Sequence, residues 1–107
     1  MVETIEELEQ YRLKVVAELE RRVLRVQELD NQIENARVAL DIACRARTAL
    51  SANTARNQIE AAHRSQLRNA LRDLEVDRAQ AQGDLAHAEE RLREVDNRIA
   101  SARGEGN

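Results

Sequence analysis

The feature that constrains this chain most is a seven-residue repeat of apolar side chains along almost all of its length. With Ile5 as position a of a heptad, a and d positions stay apolar or arginine through seven repeats. The a positions are Ile5, Arg12, Leu19, Val26, Ile33, Leu40 and Arg47, and the d positions are Leu8, Val15, Arg22, Leu29, Ala36, Ala43 and Leu50. Such a repeat predicts a coiled-coil helix.

A second repeat of the same kind occupies the C-terminal half. Its a positions are Leu71, Arg78, Leu85, Leu92 and Ile99, and its d positions are Leu67, Leu74, Ala81, Ala88, Val95 and Ala102. The chain has no proline, and its single aromatic residue is Tyr11. Without Phe or Trp a thick globular core is hard to fill, so the composition favours long paired helices.

The two repeats match each other when the second is folded back on the first. Residues whose numbers sum to 107 then face one another, and ten layers align from Leu8 opposite Ile99 to Leu40 opposite Leu67. An antiparallel coiled coil places a positions against d positions in this way. The sequence therefore predicts an all-α fold, an antiparallel two-helix coiled-coil hairpin.

The middle of the chain carries the signal for a turn. The apolar repeat fails from about residue 51 to residue 66, and Asn53, Thr54 and Asn57 are good helix N-caps. Asn57 and Glu60 have the spacing of a capping box. We predict a single coiled-coil domain over 1–102, with helix 1 over about 3–50, a turn over about 51–57, helix 2 over about 58–102, and a disordered tail over 103–107.

One alternative fold uses the same repeats. The stretch from residue 45 to residue 63 contains neither glycine nor proline, so one continuous helix could pass through it. Two such chains would then form the same ten layers between them, as an antiparallel dimer.

Charged residues lie both in and beside the predicted seam. The seam arginines are Arg12, Arg22, Arg47 and Arg78. Each is expected to face an apolar residue, with its stem in the seam and its guanidinium turned outward. Beside the seam, the register predicts three neighbouring pairs: Glu18 with Arg91, Arg25 with Asp84, and Arg37 with Glu75.

Several large apolar residues of the first helix fall outside its seam. They are Tyr11, Leu13, Val16, Val23, Leu24, Val38 and Ile42. Scattered surface hydrophobes are normal in proteins, which is the plain alternative. Since Leu13, Val16 and Val23 follow helical spacing, we predict that this set binds a protein partner, or a second copy of the chain in a four-helix bundle.

No pattern of catalytic, cofactor-binding or metal-binding residues is found, and we expect none of these sites and no small-molecule substrate. His63 and His87 are the two histidines, and they lie on the same predicted helix, outside any metal motif. Cys44 is at an e position, with no histidine motif to activate it. The carboxylates spread along the helices, and there is no glycine-rich phosphate loop.

Charge and hydropathy limit the partners. The net charge is −3, with acidic and basic residues interspersed, so we expect no nucleic-acid partner. No apolar run has the length of a membrane span, and the N-terminal "MVETIEELEQ" does not resemble a signal or transit peptide. We therefore expect a cytoplasmic protein without a membrane partner.

These observations favour a non-enzymatic interaction module, such as an adaptor, assembly factor or chaperone, that binds through helix 1. A structural rod or scaffold unit, and a phage-type inhibitor protein, remain alternatives. The plan of two long heptad helices is also similar to that of the small coiled-coil stalk proteins of flagellar and type III secretion export. In those, an antiparallel hairpin engages the export ATPase and substrate chaperones, so the resemblance implies that kind of partner as a further alternative.

Overall fold

The computed structural model describes residues 4–46 and 54–104. Two helices, α1 (Ile5–Ala46) and α2 (Thr54–Ala102), make up the fold. They pack against each other antiparallel within one chain. The predicted all-α hairpin is therefore confirmed.

The start of α1 is capped by its own sequence. The backbone amide of Glu7 donates to Thr4 Oγ1 at 3.1 Å, and the Thr4 hydroxyl donates to Glu7 Oε1 at 3.2 Å. The Thr4 side chain thus satisfies one of the free amides of the first turn. Glu6 and Glu7 also place negative charge at the positive end of the helix dipole.

The start of α2 differs from the prediction. The helix begins at Thr54, four residues before the predicted position 58. Asn57 is therefore inside the first turn instead of capping it, and Glu60 accepts a hydrogen bond from Arg56 Nε at 3.1 Å. The rest of the predicted turn, residues 51–53, lies outside the described residues.

The seam of α2 also extends further than the apolar repeat indicates. Asn57, Glu60 and Arg64 keep the heptad spacing toward Leu67 and are all at least partly buried. The loss of apolar residues predicts loss of the seam, but the seam continues with polar side chains.

At its C-terminal end, α2 is followed by a turn at residues 103 and 104. The amide of Arg103 donates to the Ile99 carbonyl at 3.0 Å, and that of Gly104 to the Ser101 carbonyl at 3.1 Å. Gly104 has φ of 78°, the left-handed conformation that glycine adopts without a steric penalty. The sequence predicts a disordered tail over 103–107, whereas Arg103 and Gly104 form this hydrogen-bonded end of α2.

The predicted single domain divides into two compact units. We call residues 4–26 and 80–104 the terminal unit, and residues 27–46 and 54–79 the central unit. In the terminal unit, Leu8, Val15, Val95 and Ile99 form a buried cluster with Leu92 against it, as the predicted register requires. In the central unit, Leu29 and Ile33 are the buried apolar residues among those described.

Candidate interaction surfaces

The seven residues predicted to bind a partner are divided between the two units. Tyr11, Leu13, Val16, Val23 and Leu24 belong to the terminal unit, and Val38 and Ile42 belong to the central unit. All are exposed except Val16, which is half-buried beside the core. Whether they bind a partner stays a prediction.

Four of these residues lie on one side of α1 and form what we call the α1 stripe: Leu13, Val16, Val23 and Leu24. Glu20 lies between the two pairs on the same side. At 3.6 residues per turn, Leu13 and Leu24 point within about 20° of each other, as do Val16 and Val23. Leu13 is 61% exposed and Leu24 is 63% exposed. Tyr11 points about 200° away from Leu13 around the helix, so it is not part of the same face.

A shallow groove of about 450 Å³ adjoins the stripe at Leu13, with Ile99 in its lining. Two ion pairs join the helices along it, Arg12 Nε with Asp96 Oδ1 at 2.7 Å and Arg103 Nη2 with Glu9 Oε1 at 2.6 Å. These four charged groups are therefore paired within the chain, whereas Glu20, seven residues after Leu13 on the same side of α1, is exposed and has no ion pair among the described residues. Binding of an apolar partner along the groove would not separate the two ion pairs.

The opposite flank of the terminal unit is polar. Glu18 Oε1 accepts from Arg91 Nη2 at 2.8 Å and lies 3.4 Å from Arg22 Nη2, while Arg22 Nη1 is 3.7 Å from Asp84. The predicted proximity of Glu18 and Arg91 is thus confirmed, and Asp84 contacts Arg22. The hydrogen bond from Arg91 lowers the pKa of Glu18 below its ordinary value, and the charges of Arg91 and Arg22 act in the same direction against some desolvation.

The seam arginines find partners that the heptad pattern did not predict. Arg12 pairs with Asp96, Arg22 with Asp84, and Arg78 Nε donates to Asp30 Oδ1. The expectation that they only face apolar residues is therefore incomplete, and Arg47 lies outside the described residues. A signal was present, because each aspartate is the chain neighbour of the apolar residue opposite its arginine: Val95, Leu85 and Leu29.

The central unit exposes apolar residues on both helices. Val38 and Ile42 on α1 are joined in this unit by Ile59 and Val76 on α2, which are 71% and 62% exposed. Ile59 lies in the stretch where the apolar repeat fails, so the repeat does not predict its place on the helix. These four residues do not form a stripe with the spacing seen in the terminal unit.

Arg64 is the buried charged side chain of the described residues, with 8% of its surface exposed. Its Nη1 atom is buried and has no hydrogen-bond partner within the part of the chain that the structure describes. A guanidinium held this way is costly, because its lost hydration is only partly replaced. Arg64 lies at a seam position of the central unit, so that unit is stabilised less by its seam than the repeat suggests.

The other residues considered in the sequence stay apart. His63 and His87 are exposed, and Cys44 is half-buried, with Arg68 Nη2 at 4.0 Å from its sulfur. Within residues 4–46 and 54–104, no three His, Cys, Asp or Glu side chains gather as metal ligands could. Neither α1 nor α2, over those same residues, has a stretch both long and apolar enough to cross a bilayer.

Comparisons with protein-family models, with curated proteins and with solved structures give no match to this chain. The similarity to export stalk proteins accordingly stays a resemblance of helical plan.

Proposed function

We propose that this protein is a non-enzymatic interaction module, an adaptor or assembly factor of the cytoplasm, that binds a helical protein partner through the α1 stripe. The observation that carries the proposal is the exposure of Leu13 and Leu24 beside a core that is already closed. The stripe is not needed to bury the second helix of the same chain, so it is available to another helix.

The chemistry of the stripe fits helix-in-groove recognition. An incoming amphipathic helix would lay its apolar face along Leu13, Val16, Val23 and Leu24, in the manner of a third helix joining a bundle. The neighbouring pairs of Arg12 with Asp96 and Arg103 with Glu9 would form the polar rim. Apolar centre and polar rim are the usual anatomy of a protein interface.

Site-specific photo-crosslinking tests the proposal in cells. A photoreactive residue at Ala17, which is exposed on the same side of α1 as Leu24, should give a crosslinked product of defined mass. The product should disappear when Leu13 and Leu24 are both replaced by glutamate. The matched control is the same photoreactive residue at Asn97, an exposed position on the outer side of α2.

A second pair of variants separates binding from folding. Val16→Glu with Val23→Glu should also abolish association, but Val16 is half-buried, so circular dichroism must show that the helices persist. Val76→Glu introduces the same charge at an exposed valine of the central unit and should leave binding unchanged. A product at Ala17 that survives both double substitutions would rule out the α1 stripe as the binding surface.

A further inference from the structure

The central unit has a groove whose charges are incompletely paired. The groove has a volume of about 580 Å³, and Ile33 and the Arg78–Asp30 ion pair are in its lining. Glu34, Arg37 and Glu75 line it as well. Among the described residues these three side chains form no ion pair, so two carboxylates and one guanidinium, a net charge of −1, are left for an outside partner.

Two arginines on the same side of the same unit also have no carboxylate partner within residues 4–46 and 54–104. Arg68 is seven residues before Glu75 on α2, and Arg72 is seven before Ala79, which also lines the groove. Seven residues are two helical turns, or about 10 Å, so both arginines lie on the groove side of α2. Both are exposed, and neither has a carboxylate within ion-pair distance among the described residues, while Arg68 contacts the Cys44 thiol at 4.0 Å.

Along the groove side of the central unit, the unpaired arginines lie toward one end of α2 and the unpaired carboxylates lie toward the other. Such a surface is complementary in charge to a second copy of itself. A two-fold rotation reverses the direction of α2, so the arginines of each copy meet the groove of the other. With the axis between Arg72 and Glu75, Arg72 of each copy lies beside Glu34 and Glu75 of the other. Arg68 then lies toward the end of the groove that Asp30 occupies.

We propose that a second copy of this chain docks on the central unit, with Arg68 and Arg72 of each copy held in the groove of the other. In the terminal unit, the arginines at 12, 22, 91 and 103 pair with carboxylates across the helices. The residues of this surface are different from those of the α1 stripe. The dimer is held by exposed charges, which makes it weak and sensitive to salt.

Light scattering on the full chain tests the proposal. At about 50 mM salt and protein concentrations up to about 1 mM, the mass should rise from 12.2 kDa toward twice that value, and it should fall back at about 0.5 M salt. The double variant R68E/R72E and the double variant E34R/E75R should each lose association, with the association constant lower by at least about tenfold.

A charge swap gives the decisive result. Mixing R68E/R72E with E34R/E75R should restore a dimer of one chain of each kind, because every reversed charge again meets its opposite. The matched control R93E/R98E makes the same change of charge at exposed arginines of the terminal unit and should dimerise like the wild type. The L13E/L24E variant should dimerise as well, so loss of partner binding and loss of self-association are told apart.

Three results would overturn the proposal. One is a wild-type chain that stays monomeric at low salt over the whole concentration range. Another is a dimer that R68E/R72E forms as strongly as the wild type. The third is a monomer that binds polyglutamate through Arg68 and Arg72, because the basic pair would then belong to an acidic partner and not to a second copy.

Discussion

The terminal and central units are built from the same two helices, yet they bury different amounts of the seam. The terminal unit buries apolar residues in layer after layer: Leu8, Val15, Val26, Ala81, Ala88, Val95 and Ile99. In the central unit the buried positions among the described residues are Leu29, Ile33 and Arg64, and its other seam leucines are only half-buried. Heptad spacing is the same in both units, so spacing alone does not set the depth of burial.

The difference comes from what faces each seam residue. In the terminal unit, small residues such as Ala88 let the facing helix approach closely, and ion pairs such as Arg91 with Glu18 close the flanks. In the central unit, the seam of α2 continues into Asn57, Glu60 and Arg64, which cannot be buried as cheaply as leucine. Local stability should therefore be lower in the central unit.

Substituting one leucine in each unit tests the difference in burial most directly. Leu8→Ala removes a side chain that is 3% exposed, and it should lower the free energy of opening of the terminal unit by about 2–4 kcal/mol. Leu71→Ala removes a half-buried leucine and should cost about 1–2 kcal/mol, because less apolar surface returns to water. Native-state hydrogen exchange measures both, and equal losses would contradict the difference in burial.

Replacing Arg64 should raise the stability of the central unit, whereas the leucine substitutions lower stability. Arg64→Met keeps much of the side-chain volume and removes a buried charge with an unsatisfied Nη1 atom, so the central unit should gain about 1–3 kcal/mol. Urea unfolding and hydrogen exchange of the central-unit amides report the gain.

The matched control for Arg64 is Arg93→Met in the terminal unit. Arg93 is exposed, and its replacement should change stability by less than about 0.5 kcal/mol. If Arg64→Met instead destabilised the central unit, its guanidinium would have to hold the seam together, and the lower stability of this unit would need another cause.

Acidification should lower the stability of the terminal unit and so reduce the difference in stability between the two units. Of the three expected changes in stability, this one is the smallest. The pKa of Glu18 is lowered in the folded chain from its ordinary value of 4.5, mainly by the hydrogen bond from Arg91. The stabilisation by charged Glu18 is therefore complete above pH 4.5 and is lost as the pH falls through the lowered pKa. Unfolding of the terminal unit, followed from pH 6 downward, should become easier below that point.

Two variants check the origin of this pH dependence. Glu18→Gln removes the titrating group, and Arg91→Met removes the first donor to it. Each should flatten the fall in stability below pH 4.5, and together they should flatten it no more than Glu18→Gln alone. A slope that is unchanged in Glu18→Gln would assign the acid effect to other carboxylates.

Part of the candidate surface could be predicted without the structure. The spacing of Leu13, Val16 and Val23 already places them on one face, and the structure exposes Leu13 and Val23 and leaves Val16 half-buried. The unpaired charges of Glu34, Glu75, Arg68 and Arg72 could not be predicted. Whether a surface charge is paired depends on which side chains of the other helix lie within a few ångströms of it.

The sequence by itself predicted the two long helices, their antiparallel direction and the register that sets Leu8 against Ile99, because ten seam layers match in that register and it places the turn where the apolar repeat fails. The tertiary structure alone decided that Arg12, Arg22 and Arg78 pair with aspartates, that the seam continues through Arg64, and that the two units bury so unequally. The physical reason is that a repeat specifies which face of a helix turns inward. How deeply that face is buried depends on the shape and charge of both helices at each layer.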